Sequence, residues 1–192
     1  MNNDQIINTL SFIKSAESLK NVLRSAHTSS GRVESTAEHT WRLCLLATVF
    51  SKQLGEIDIA KLLKICIIHD LGEAISGDVP APKQGNGNSR AIQERRDLQI
   101  LTKELPADAK SEILALWDEY EQGSTPEGRI VKGLDKLETL IQHNQGKNAD
   151  DFDYNFNLTY GSNRMSAHPL LGKIRSIIDT ETQAKIDEQL MR

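Results

Sequence analysis

The sequence lacks the features that would tie it to a membrane, a secretory route or a nucleic-acid duplex. No apolar run among its 192 residues approaches the length needed to cross a bilayer. The opening Met1-Asn2-Asn3-Asp4 has neither the basic start nor the apolar stretch of a secretory signal. Cysteine is scarce. Cys44 and Cys66 fall inside apolar stretches without metal-ligand spacing and read as buried, reduced thiols, not as a disulfide or a ligand pair. Positive charge is not in excess either: the formal net charge is -4, with Lys and Arg interspersed among Asp and Glu. A duplex nucleic-acid partner would want a basic face. The expectation is a cytoplasmic protein with no membrane and no duplex partner, in which any anionic substrate meets local positive charge. Asn157-Leu158-Thr159 matches a glycosylation sequon, but without a secretory signal it reads as fortuitous.

What is present is the composition of one ordinary globular domain over residues 1–192, with 38% hydrophobic and 26% charged residues and no internal repeat. Helical periodicity dominates, and no stretch alternates as a strand. Asp4 can cap a helix over about 5–17, followed by a loop holding Arg24 and Thr28-Ser29-Ser30-Gly31. Ser35 and Glu38 form a capping box that starts a helix over about 36–54, ended by Gly55. Asp58 caps an almost continuously apolar helix over about 59–72. Residues 76–90 hold Gly, Pro, Asn and Ser and read as a mobile loop. Helices follow at about 91–104 and 107–122, then one that starts at Thr125-Pro126 and runs to about Gly146. The acidic, aromatic stretch 147–167 reads as a long ordered loop, and one or two short helices follow Pro169.

The helix over 59–72 is too apolar for a surface element, because Ile65, Cys66, Ile67, Ile68 and Leu71 occupy nearly every direction around its axis. His69 and Asp70 near its end therefore need explaining, since a buried unpaired carboxylate costs several kcal/mol. A divalent cation removes that cost, and imidazole with carboxylate suits Mn, Fe, Co, Ni or Zn. His39 sits in the first turn of another buried-faced helix, where the positive end of the dipole favours the neutral imidazole that a metal needs. Asp135 lies one step off the stripe Ile130-Leu134-Leu137-Ile141; taken alone, with Lys132, Lys136 and Glu138 around it, it reads as a solvated salt-bridge residue. A bare His-Asp pair is common by chance. Specificity comes from the order: a capped helix with His, an apolar helix ending His-Asp, then a helix carrying Asp.

These segments resemble a known family. Glu34–Trp41, Ile67–Ala74, Gly77–Pro80 and Lys132–Glu138 look like the motifs of the HD-domain 5'-deoxynucleotidases. Leu19, Lys20, Arg24, the stretch Leu116–Glu121 and Thr125-Pro126-Glu127 match the same branch, so the resemblance spans about residues 10–145 and leaves 147–192 without a transferable motif. It implies an all-α HD-domain helical bundle, frequently a homodimer, that removes phosphate from deoxyribonucleoside 5'-monophosphates. It implies His39, His69, Asp70 and Asp135 as ligands of one divalent ion of the Mn, Co, Fe, Ni, Zn or Mg class. Glu73 becomes the general acid/base, in keeping with its spacing from His69 and Asp70 along one helix face. Arg24, with Lys20, would meet the phosphate or sugar, and Asp78 the sugar hydroxyls. Two other readings compete: an HD hydrolase of a triphosphate, cyclic nucleotide or alarmone, and a non-catalytic nucleotide-binding module.

Overall fold

A computed structural model describes residues 2–80 and 89–191. Residues 81–88, most of the glycine-rich loop expected over 76–90, lie outside the described residues. Nine α-helices and one two-stranded ribbon are found among the described residues: α1 (Asn3–Ala16), β1 (Leu23–His27), β2 (Val33–Ser35), α2 (Thr36–Val49), α3 (Ile59–Ile68), α4 (Glu73–Ser76), α5 (Ser89–Leu101), α6 (Ala107–Gln122), α7 (Pro126–Gln145), α8 (Tyr154–Thr159) and α9 (Pro169–Leu190). None of the helices is long and apolar enough to cross a membrane.

Helix α7 is the axis of the molecule, packed against α2, α3, α6 and α9. Its start is the expected one: the Thr125 side chain accepts from the Gly128 amide, and Pro126 occupies the first turn. The core between α2, α3 and α7 is built from Leu43, Ala47, Leu62, Ile65, Cys66, Leu134 and Leu137, all fully buried. Each large aliphatic side chain removed from water there contributes about 1.5–3 kcal/mol. Both thiols are free; Cys66 is buried as expected, whereas Cys44, also read as buried, is half-buried. The Ser35–Glu38 capping box is present in full, and the Asp58 side chain accepts from the Lys61 amide.

Several expectations are corrected. The N-terminal helix is capped by Asn2, whose capping box uses Gln5, not by Asp4. A short antiparallel ribbon, β1 with β2, occupies the segment read as loop. Leu23-Arg24-Ser25-Ala26-His27 has no apolar–polar alternation to announce a strand; a tight turn, closed by the Gly31 amide donating to the Thr28 carbonyl, brings the two halves together. Helix α3 stops at Ile68, short of 72. Residues 69–72 form successive tight turns, with the Leu71 amide donating to Ile68 and the Glu73 amide to Asp70, before α4 begins. Glu73 thus reaches the His-Asp pair around a corner instead of along one helix face. The segment 147–167 contains α8, capped by Asp153, and a 3-10 turn over Ser162–Ala167. Beyond Pro169 the chain forms one helix of 22 residues, not one or two short ones. Its buried face is Leu171, Arg175, Ile178, Thr182 and Ile186, and the polar members interrupt the apolar stripe that would have revealed it.

Candidate metal centre and substrate cavity

Four side chains converge where α2, α3 and α7 meet. His39 projects from the first turn of α2, His69 and Asp70 from the corner after α3, and Asp135 from the middle of α7. His39 Nε2 is 3.3 Å from Asp135 Oδ1 and 3.8 Å from Asp70 Oδ2, and His69 Nε2 is 3.1 Å from Asp70 Oδ2. The ligand atoms of His39, His69 and Asp70 lie within 4.8 Å of one another.

Both histidines have fixed tautomers. His69 Nδ1 donates to the Cys66 carbonyl at 2.8 Å, and His39 Nδ1 pairs with the Glu138 carboxylate. Each imidazole therefore turns its Nε2 toward the carboxylates. Neither Nε2 has a hydrogen-bond partner among the described residues, although both rings are fully buried. Two inward-facing ring nitrogens beside the buried Asp135 and the half-buried Asp70 are a donor set for a divalent cation, and the residues fit one. Burial and the Arg24 guanidinium push His39 down, but Glu138 and Asp135 outweigh them and lift it to about 9. Burial works against the charged form of Asp70, yet His69 and His39 hold its carboxyl below the ordinary range.

A ring of further groups supports the four. Tyr120 Oη donates to Asp135 Oδ2 at 2.8 Å, and Lys136 Nζ stands 2.9 Å from the same oxygen. Arg42 Nε donates to Glu138 Oε1 at 2.6 Å. Glu138, which reads from sequence as part of a solvated surround, is buried and orients His39. Its spacing of three residues from Asp135 puts both on one side of α7, and that was the available signal. Tyr120 and Lys136 fall inside segments that carry the family resemblance without standing out there, and Arg42 carries no sequence signal.

The centre opens into a cavity of about 980 Å³ lined by Arg24, Asp70, Glu73, Asp78, Arg90 and Asp135 among others. Arg24 bridges three neighbours: Nη2 donates to Thr139 Oγ1 at 3.1 Å, Nη1 is 3.6 Å from Asp70 and Nε is 3.4 Å from Glu34. Glu73 is almost fully buried, accepting from Thr36 Oγ1 at 3.2 Å and from Arg90 Nη2 at 2.9 Å. Burial, with Asp70 and Asp78 nearby, raises its carboxyl to about 9 against the pull of Arg90 and Arg24. Asp78, just past Gly77 with its φ of +82°, is also raised, chiefly by burial. Arg90, at the start of α5, escaped the sequence reading because nothing near it forms a motif. Lys20 is not brought to the cavity. It lies on the exterior, 3.9 Å from Glu17, and its expected role in holding substrate is dropped.

Comparison with known proteins agrees with this fold. Residues 16–175 match the family model described as HD domain. The chain is 33% identical over 138 residues to 5'-deoxynucleotidase HDDC2 of Danio rerio, covering 70% of this chain and 68% of that protein. Among solved structures, a "predicted metal-dependent phosphohydrolase" from Magnetospirillum magnetotacticum superposes with a TM-score of 0.82 at 24% identity, covering 94% of each chain. The HD phosphohydrolase DatZ of cyanophage S-2L, bound to dA and one catalytic Zn2+ ion, superposes with a TM-score of 0.59 at 19% identity, covering 91% of this chain and 96% of that one.

Proposed function

The chain belongs to the HD domain family, and from that premise we propose that it is a metal-dependent phosphohydrolase that removes phosphate from deoxyribonucleoside 5'-monophosphates. The observation that carries this reading is the pair of buried Nε2 atoms, His39 and His69, facing Asp70 and Asp135 at the floor of an open cavity. The 5'-deoxynucleotidase activity for which the Danio rerio relative is named supports the substrate class, and the zinc in the phage enzyme supports the kind of cation. His39, His69, Asp70 and Asp135 would hold one divalent ion of the Mn, Co, Fe, Ni, Zn or Mg class. When bound, such an ion lowers the pKa of a water and offsets negative charge at phosphorus.

The remaining steps belong to the chain's own side chains. Arg24 and Arg90 supply local positive charge to a phosphate in an otherwise acidic protein. Glu73, buried between Thr36 and Arg90, gives its carboxyl proton to O5' as the P–O5' bond breaks and takes one from the water whose oxygen bonds to phosphorus. Asp78, on the same cavity wall, accepts from a sugar hydroxyl. The active unit is proposed to be a homodimer, supported by an uncovered apolar stripe on α2.

The test is a metal-reconstituted preparation offered nucleoside 5'-monophosphates with and without the 2'-hydroxyl. Phosphate should be released, fastest from the deoxy series. Glu73→Ala should lower kcat by about 10²–10⁴ while elemental analysis finds the metal retained. Absence of phosphate release with every cation would end the hydrolase reading. Selective turnover of triphosphates, cyclic nucleotides or alarmones would move it to another ester.

A further inference from the structure

The cavity does not end at the metal centre. Asp135, Thr139 and His143 all line it, and their spacing of four residues places them one above another along a single face of α7. At about 1.5 Å rise per residue, His143 stands about 12 Å along the axis from Asp135. That is close to the reach from phosphorus to the far edge of the base in an extended nucleotide. Midway, Thr139 accepts from Arg24, the residue already placed at the phosphate and sugar.

At the His143 end the walls change character, from carboxylates and guanidinium groups to aromatic rings. Phe152 lines the cavity there beside His143, Phe156 lines it further on, and Tyr160 leads back toward Asp135, with Lys136 Nζ 5.2 Å from its ring centroid; the small Ala26 of β1 lines the cavity too. Phe152 meets His143 edge-on, with centroids 5.0 Å apart, and Phe156 stacks on Tyr160 at 5.1 Å and 29°. Phe152 and Phe156 are only half-buried, so part of each ring remains available to a ligand. His143 Nδ1 donates to Asn157 Oδ1 at 2.9 Å, and its Nε2 has no hydrogen-bond partner among the described residues. Burial, assisted by Arg24, lowers the His143 pKa and keeps the ring neutral, so Nε2 is an acceptor. The buried Asn157 that fixes this tautomer is the sequon asparagine, fully enclosed by protein.

We propose that Phe152, Phe156 and His143 form a nucleobase subsite, in which the base lies against the two phenyl rings and donates an N–H to His143 Nε2 while the 5'-phosphate occupies the Asp135 end. The proposal rests on the phosphohydrolase reading for the phosphate end. It assigns a purpose to the segment after Gly146, which the sequence motifs leave blank. Stacking on an aromatic ring tolerates any base, so the wall provides affinity for nucleotides as a class, and His143 favours bases that present an N–H at that edge.

The experiment compares kcat/KM for dAMP with that for 2-deoxyribose 5-phosphate, which lacks the base, on the metal-loaded enzyme. The nucleotide should be preferred by about tenfold to a hundredfold, the range of one stacked base. Phe156→Leu and Phe152→Leu, which keep apolar bulk, should each cut that preference several-fold through KM, with kcat and the thermal unfolding midpoint little changed. His143→Gln should rescue more of the preference than His143→Leu. Equal kcat/KM for the two esters in the unaltered enzyme would overturn the subsite and leave the hydrolase intact. So would Phe→Leu losses that fall equally on both esters, since rings that merely pack α8 against α7 would act that way. Calorimetric binding of 2'-deoxyadenosine tests the subsite without turnover: affinity unchanged in the Phe152→Leu, Phe156→Leu double variant overturns it, whereas failure of both esters alone counts against the hydrolase.

Discussion

At the scale of single residues, the centre depends on which nitrogen of each imidazole carries the proton. A histidine in the core ordinarily satisfies both nitrogens, yet here one side of each ring is tied and the other left facing carboxylates. The tie differs between them. His69 uses a backbone carbonyl, which substitution cannot remove, whereas His39 depends on Glu138, which Arg42 in turn holds at 2.6 Å. Glu138→Gln keeps the shape but replaces a charged acceptor with an amide that can present a donor to Nδ1–H. The expected result is a 10–100-fold loss of metal affinity, read by competition with a chromophoric chelator. A smaller fall in stability should accompany it, because Arg42 loses its charged partner and keeps only Gln145 and the residue 138 carbonyl. An unchanged metal affinity would reduce Glu138 to a packing residue.

At the scale of elements, legibility followed the strength of local signals. α6 and α7 match their expected bounds because Pro106, Thr125 and Pro126 fix their starts and Gly123 and Gly146 mark where they stop. The convergence of His39, His69, Asp70 and Asp135, the proposed metal ligands, was legible because two of them close a stretch too apolar for them and the others follow in family order. α9 and α8 were not readable, since Arg175 and Thr182 occupy core-facing positions and disguise the period. Arg175 is buried by donating to the carbonyls of Tyr160, Asn157 and Leu158, contacts far away in sequence. The corner between α3 and α4 was missed for a related reason: Gly72 looks like an ordinary breaker, but its φ of -61° suits any residue. What requires glycine is space. A Cβ there would stand 2.6 Å from the Glu94 carbonyl oxygen of α5. Gly72→Ala should therefore destabilise the protein by about 1–3 kcal/mol, as overpacking does, seen as a lower urea midpoint. Because the displaced corner carries Asp70 and Glu73, turnover should fall by more than the loss of stability explains.

At the scale of the whole molecule, burial is uneven. One side of α2 is sunk in the core through Leu43 and Ala47, while Trp41, Leu45 and Val49 on another side are 66%, 46% and 64% exposed. These three recur every fourth residue and so form one stripe about two turns long. In an isologous pair each copy presents the stripe once, which brings six large apolar side chains together. Covering the exposed part of each, a little over half, would gain on the order of 5–11 kcal/mol gross, against about 4–15 kcal/mol lost in ordering two molecules. The balance is close, so the dimer should be weak and reversible and a single charge in the stripe should abolish it. Sedimentation velocity across a concentration series should show a monomer–dimer equilibrium for the unaltered protein and only monomer for Leu45→Glu. Since Leu45 lies outside the cavity lining, comparing phosphate release by the two proteins at equal chain concentration shows whether association contributes to turnover. A single sedimenting species of monomer mass at every concentration would leave the α2 stripe without a partner of its own kind.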